Sequence, residues 1–200
     1  MPTVTEQRAD LPRPGRKRSE ESRLAILTAA FQLLAEVGYA ALTIEGIATR
    51  SGTGKQTIYR WWPAKADVLM DALATKADLY VPVPDTGSHP ADLREFLRAS
   101  MVLGRRPEVA AGLRALMAEA QIDPAFGERF RASFLRPRRD ALGALLDRAR
   151  LRGELPPGLS VGTAVDLVFG VVWYRLLATG QELDDLLVEE LVGVLTYGGN

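Results

Sequence analysis

From Lys55 to Lys65 the chain reads Lys-Gln-Thr-Ile-Tyr-Arg-Trp-Trp-Pro-Ala-Lys, which puts three cations, a glutamine, a threonine and three aromatics within eleven residues. Such a run suits a polyanion with readable edges. Ammonium, guanidinium and hydroxyl groups meet phosphate oxygens, and short polar side chains between them reach bases. Lysine favours guanine O6 and N7, glutamine pairs with adenine through two bonds, and a threonine methyl packs on thymine. Rival chemistries lack their parts. The chain has no cysteine, which excludes disulfides, thiolate metal sites and thiol nucleophiles. His89 is the single histidine and lies in a turn-like Gly-Ser-His-Pro stretch, with no second histidine to form a metal site or relay. No nucleophile–base arrangement or phosphate-cradling glycine loop occurs, so neither catalytic residues, metal nor cofactor are expected, and the chain does not read as an enzyme.

Charge is distributed to match. Lys/Arg and Asp/Glu balance at 25 each, yet residues 1–65 hold ten basic against six acidic residues and residues 66–200 hold fifteen against nineteen. A head at +4 on a body at −4 is the asymmetry of a protein whose one end meets nucleic acid. Arg13, Arg16, Lys17 and Arg18 sit among Pro and Gly. Residues 1–18 read as a flexible basic arm that lies along or in a minor groove. The N-terminus is polar, without the apolar core of a signal peptide. The longest strongly apolar run, Leu167–Tyr174, is eight residues against the roughly twenty of a membrane span. The expectation is a soluble, cytoplasmic protein with no membrane partner.

The elements that position the 55–65 run are helices. Leu24, Leu27, Phe31 and Leu34, widened by Ala30 and Val37, make a helical stripe from about Glu20 to Val37, with Ser19 as cap and Gly38 as terminator. Thr43 caps a short helix through Ile44, Ile47 and Ala48 to about Arg50. Ser51-Gly52-Thr53-Gly54 is a turn, because two glycines in three residues weaken a helix. A third helix covers Lys55–Trp61 and a fourth Lys65–Leu79, with Val68, Leu69, Ala72 and Ala77 inward. Residues 81–90, with three prolines, read as an exposed linker. Amphipathic segments follow near 91–103, 107–120 and 124–152, the last broken around Pro137. Ser160 caps a helix to Ala178, and Leu183–Thr196 is the final one. Asp184, Asp185, Glu189 and Glu190 read as solvated helix faces. No strand pattern or repeat is present, so the class is all-α.

Ala48, Gly52 and Ile58 stand at spacings of +4 and +6, as a helix-turn-helix requires: a small residue where two helices touch, a glycine for positive φ, and an aliphatic anchor on the second helix. Together with Gly38-Tyr39, Thr43-Ile44, Ile47-Ala48 and the whole run Lys55–Lys65, these residues closely resemble the N-terminal domain of the tetracycline-repressor (TetR) family over residues 20–70. Three positions depart from the pattern. Gly54 and Ala64 stand where serine commonly caps a helix, and Gln56 where glycine is frequent. The resemblance implies an N-terminal three-helix DNA-binding domain, taken as residues 19–65, and a C-terminal helical ligand-binding and dimerisation domain, taken as residues 66–200. It implies a homodimer of Ω-shaped, roughly nine-helix subunits joined by their last two long helices, in which a small-molecule effector spreads the heads and releases a double-stranded operator. Repression is the default outcome. A helical protein-interaction module without ligand sensing is the alternative.

On this reading Arg16, Lys17, Arg18, Thr43, Lys55, Gln56, Thr57, Tyr59, Arg60, Trp61 and Lys65 are the candidate DNA contacts. Thr43, Tyr59, Trp61 and Lys65 match family positions that commonly meet phosphates, and Trp62 is expected to be buried. Met101, Leu113, Met117, Phe126, Phe130, Phe134, Phe169 and Trp173 form an aromatic and methionine-rich set that serves as core or lines an effector pocket. Val161, Val165, Val168 and Val172, with Leu187 and Leu191 on the final helix, are the expected dimer stripe. Ile58 must point inward, which leaves Lys55, Gln56 and Thr57 for base edges. Gln56→Ala is therefore expected to cost about 1–3 kcal/mol at one symmetric base pair and to relax preference there, as read by operator selection.

Overall fold

The computed structural model describes the backbone of residues 14–196 and the side chains of residues 19–196, and no strand occurs among them. Four helices build the N-terminal part: α1 (Pro14–Ala41), α2 (Ile44–Ser51), α3 (Lys55–Trp61) and α4 (Lys65–Tyr80). α1 starts ahead of the expected cap at Ser19, and its regular course breaks at Gly38, with φ of 71°. The arm residue Arg13 and the side chains of Arg16, Lys17 and Arg18 lie outside the described residues. The buried face of α1 is Ile26, Leu27, Ala29, Ala30 and Leu34. Leu24 and Val37, expected in the stripe, are about half exposed, because Ile26 takes the place against α2 and α3.

α4 has two buried faces. Val68 and Ala72 join Ile26, Ile44, Ile47, Ala48, Ile58 and Trp62 in the head core. Ala66, Leu69, Met70, Leu73 and Ala77 join Leu34, Leu116, Phe126 and Phe130 in a second core. The domain boundary read at residue 65 thus falls at the start of a helix that belongs to both. α6 crosses close to α1 and α4 at Gly112, where an added Cβ would stand 3.0 Å from Leu34 and 3.1 Å from Leu73. Only glycine permits that approach without displacing the leucines.

The body comprises α5 (His89–Gly104), α6 (Pro107–Ile122), α7 (Pro124–Phe130), α8 (Arg136–Leu151), α9 (Val161–Tyr174) and α10 (Asp185–Leu195). α7 and α8 are one rod. The break expected at Pro137 is a π turn over Arg131–Leu135 instead, in which the Arg136 N–H donates to the Arg131 carbonyl. Pro137 cannot donate, and the wider turn carries the chain past it without ending the helix. α9 likewise runs into a π turn, Arg175–Thr179, ended by Gly180. The Leu176 carbonyl in that turn accepts from Arg114 Nε at 2.9 Å.

Several polar residues are placed differently from their reading in the sequence. His89 is fully buried at the start of α5, not in an exposed linker, with Nε2 2.9 Å from the Leu195 carbonyl. Asp92 is buried too and accepts from the Thr86 N–H and hydroxyl at 3.0 and 2.6 Å. Burial pushes its carboxyl up, but those bonds and the charges of Arg148 and Arg152 outweigh it and hold the group below its usual range. Asp184 caps α10 by accepting from the Leu187 N–H at 2.9 Å, and Glu189 accepts from Arg94 Nε at 2.8 and 3.0 Å. These acids fasten α10 rather than merely solvating it.

The expected dimer stripe also needs correction. Val165, Val168, Leu187 and Leu191 are buried in the chain's own core, and Val161 and Val172 pack against that core, because α9 and α10 turn these residues toward α5 and α8. The uncovered apolar residues are Leu167, Tyr174 and Leu177 on α9 and Leu186 and Val194 on α10. By length and composition Ser19–Ala41 and Val161–Thr179 reach the range of a membrane span, beyond the eight-residue run counted in the sequence. Small uncharged residues between the large apolar ones extend both. Ser19–Ala41 lays one side on the two cores above, whereas only 22% of the most apolar window in Val161–Thr179 is buried within the chain.

One ion pair ties α4 to α7. Arg129 donates through Nε and Nη2 to the two carboxylate oxygens of Asp67, at 2.6 and 3.3 Å. The Asp67 side chain is 4% exposed and that of Arg129 39%, so the two ends are not equivalent. Removing the arginine strands a buried carboxylate, whereas removing the carboxylate leaves a guanidinium that water can reach. Arg129→Met is therefore expected to cost about 3 kcal/mol and Asp67→Asn about 1 kcal/mol in urea unfolding at pH 7.

Candidate nucleic-acid interface and inner cavity

The turn that aims α3 follows from Gly52, which adopts φ 66° and ψ 23°. The Gly52 N–H points back to the Ala48 and Thr49 carbonyls, and the Thr53 N–H donates to Ala48 O at 3.1 Å. A side chain at that φ would be strained, which is why the position calls for glycine. Thr43 caps α2 by accepting from the Gly46 N–H at 3.0 Å. Gly54 and Ala64 cap without a side-chain bond, as their types dictate. Ile58 is fully buried and locks the rotation of α3. With Ile58 inward, Lys55, Gln56, Tyr59 and Arg60 are exposed and Thr57 is half-buried.

Each expected DNA contact can now be placed. Thr43 is exposed, and its hydroxyl serves the cap. Tyr59 is 53% exposed, clear of the core. Trp61 is half-buried, its ring 5.2 Å from the Arg60 guanidinium and edge-on to Trp62 at 5.4 Å. Trp62 is buried and donates from Nε1 to Asp71 at 2.9 Å, an oxygen that also accepts from Arg23 at 3.2 Å. Lys55 donates to Glu45 at 2.9 Å, and the bond to that carboxylate holds the Lys55 ammonium above the usual lysine range and the Glu45 carboxyl below its own.

Lys65 is turned inward. Its ammonium donates to the Tyr39 and Leu42 carbonyls, both at 3.0 Å, and lies 4.5 Å from the centre of the Tyr39 ring. The cation read as a phosphate contact is thus engaged with the end of α1 and the turn into α2. Two carbonyls that leave helix geometry there need a donor, and a long flexible cation supplies it. Burial, then the nearby Glu119 carboxylate, pushes the Tyr39 hydroxyl up to about 12, and that hydroxyl donates to Glu119 at 3.5 Å.

Below α4 lies a cavity of about 370 Å³. Met101, Leu113, Phe134, Phe169 and Trp173 line it. Met117, Phe126 and Phe130 do not; they belong to the second core, where the Phe126, Phe130 and Phe134 rings stack at 6.0 and 5.3 Å between centres. Leu73, Asp78, Phe96, Ser100 and Arg138 also line the cavity and were not singled out in the sequence. Asp78 and Arg138 bond each other across α4 and α8. The signal for them was weak, since an acid and an arginine 60 residues apart look like any surface charges.

An exposed polar and basic helix held by a glycine turn over an aliphatic anchor, above a helical body with an inner cavity, agrees with the comparisons with known proteins. Residues 26–72 match the family described as bacterial regulatory proteins, tetR family, and residues 83–195 match the tetracyclin repressor-like C-terminal domain. The chain belongs to the TetR family. It is a helix-turn-helix transcriptional regulator and not an enzyme. Its sequence is 39% identical over 185 residues to the HTH-type transcriptional regulator YdeS of Bacillus subtilis (strain 168), covering 89% of each chain. It is 25% identical over 181 residues to the HTH-type transcriptional regulator AqdR of Rhodococcus erythropolis, covering 90% of this chain and 86% of that one. The TetR family transcription regulator SCO0332 superposes with a TM-score of 0.77 at 34% identity, over 86% of this regulator and 94% of that chain. FadR from Bacillus subtilis, solved in complex with stearoyl-CoA, shares the fold at a TM-score of 0.67 and 20% identity, over 88% and 99% of the two chains.

The two lysines of the head respond differently to substitution. Lys65→Met leaves two carbonyls without their donor and is expected to lower stability by about 1–2 kcal/mol while the salt dependence of DNA binding stays as in the parent. Glu45→Gln frees Lys55 for its base edge and is expected to tighten operator binding more than binding to random-sequence DNA. Thermal unfolding and binding isotherms at several salt concentrations read both.

Proposed function

We propose that this regulator is a ligand-responsive repressor that binds a palindromic operator as a homodimer and is released by a small, largely apolar molecule held in the inner cavity. The observation that carries the reading is that α4 holds the head core at one end through Val68 and Ala72 and lines the cavity at the other through Leu73, Ala77 and Asp78. A molecule that moves the cavity wall therefore moves the helix on which the reading head is packed. An allosteric coupling of about 1–3 kcal/mol is of the usual size for such a link. FadR, a neighbour of the same fold, was solved with stearoyl-CoA, which supports a ligand in the helical body.

Within the head, Lys55, Gln56 and Thr57 face base edges, and Thr43, Tyr59, Arg60 and Trp61 meet the flanking phosphates and sugars. The partner copy covers Leu167, Tyr174 and Leu177 of α9 and Leu186 and Val194 of α10, which single-chain packing leaves in water. Two-fold pairing through such a face sets two α3 helices about one DNA turn or slightly more apart, which calls for a palindromic site.

Sedimentation of two variants tests the assembly. Leu167→Arg puts a charge on the uncovered face and is expected to give a folded monomer with weakened operator binding. Val168→Arg puts the charge in the chain's own core and is expected to unfold it. A parent protein that sediments as a monomer at micromolar concentration refutes the dimer. A selection that returns no enriched palindrome refutes operator reading.

A further inference from the structure

The cavity wall has a surplus of hydrogen-bond donors. Asp78 and Arg138 are its only charged residues, and nearly all the rest is aliphatic or aromatic. Arg138 bonds Asp78 through Nη2; its Nε also lacks an acceptor but is closed even to water, so the remaining Nη hydrogens are the ones a ligand can meet. No other acceptor for this guanidinium is found among the described residues, although it has five N–H groups. Trp173 lines the same cavity, and no hydrogen bond of its indole N–H is found among the described residues. The Ser100 hydroxyl proton is already given to the Phe96 carbonyl at 2.8 Å. The wall thus offers protons and has few lone pairs to receive any.

Charge narrows the choice further. Asp78, whose side chain is 66% exposed and so sits at the cavity rim, already balances Arg138, and an anionic ligand would set a second carboxylate against the same guanidinium. A cationic ligand would find its one carboxylate occupied. We propose that the molecule taken by this cavity is uncharged and mostly apolar and carries one hydrogen-bond acceptor oxygen, of ketone, ester or amide type, lodged against Arg138. A volume of about 370 Å³ suits a small molecule of this kind. The inference rests on reading the cavity as the effector site. It adds the polarity and charge of the occupant and the residue that selects it. The Arg138–Asp78 bond joins α8 to α4, so an oxygen that engages Arg138 acts on the helix shared with the reading head.

Four naphthalene probes of one shape test this by calorimetry on the full chain: 2-acetylnaphthalene, 2-ethylnaphthalene, 2-naphthoate and 2-naphthylmethylamine. The ketone is expected to bind at least about tenfold tighter than each of the other three, the span for one hydrogen bond to a charged donor being roughly tenfold to a hundredfold. Arg138→Met is expected to erase the ketone's advantage and leave 2-ethylnaphthalene unchanged. Asp78→Asn, which uncovers the guanidinium charge and does not depend on Arg138→Met folding, is expected to make 2-naphthoate the tightest of the four. Equal binding of ketone and hydrocarbon, or tightest binding of naphthoate to the parent, overturns the inference while the cavity remains a ligand site. Failure of all four probes to bind overturns the effector-site reading and the inference with it.

Discussion

α4 must bury both of its faces. Val68 and Ala72 are needed by the small core under the helix-turn-helix, and Leu69, Leu73 and Ala77 by the core of the body. A buried Val or Leu contributes about 1.5–3 kcal/mol relative to an exposed one, so neither face can be given up without losing a large share of a typical domain's stability. The head is too small to sit on a flexible tether and remain ordered through its own core alone. Asp67, at the first turn of α4, pins that end to α7 through Arg129, and Asp78, at the last turn, bonds Arg138 of α8. A rod held at both ends is the physical basis of the coupling proposed between cavity and reading head.

The head also engages many of its own cations internally. Lys65 is engaged with the Tyr39 and Leu42 carbonyls, Lys55 with Glu45, Arg50 with Glu36, and Arg23 with Asp71. What faces outward from α3 is then a mixture of Gln56, Tyr59 and Arg60 with a lysine on a leash. Self-compensation of this kind lowers nonspecific attraction to phosphate and raises the share of affinity that depends on base edges.

α9 serves two surfaces at once. Ala164, Val165 and Val168 enter the body core, Phe169, Val172 and Trp173 reach the cavity, and Leu167, Tyr174 and Leu177 remain uncovered. A helix apolar on every side is normally buried on every side. The chain covers part of this one, and a second copy is the simplest cover for the rest. The π turn at its end, with Arg114 holding the Leu176 carbonyl, brings α6 into the same contact, so cavity, uncovered face and body core share one element.

Local rules were enough to read most of the helices, the Gly52 turn and the Thr43 and Ser160 caps, because each depends on neighbours within a few residues, while the buried Trp62 was read from the family resemblance. The type of nucleic-acid reader was equally legible, since spacing across one short motif carries it. Choices between faces were not. Leu167 and Val168 are adjacent on α9 and equally apolar, and only the position of α5 and α8 makes one surface and the other core. The same holds for Lys65, whose charge implies phosphate until the Tyr39 and Leu42 carbonyls are seen 3.0 Å away. His89 and Arg138 acquired their meaning from partners 106 and 60 residues distant. Sequence alone determined the elements and the chemistry of the reading helix, because short-range sterics and hydrogen bonding decide those. Tertiary structure decided which charges are free, which apolar faces are covered and which residues line the cavity, because each depends on atoms that only packing brings together.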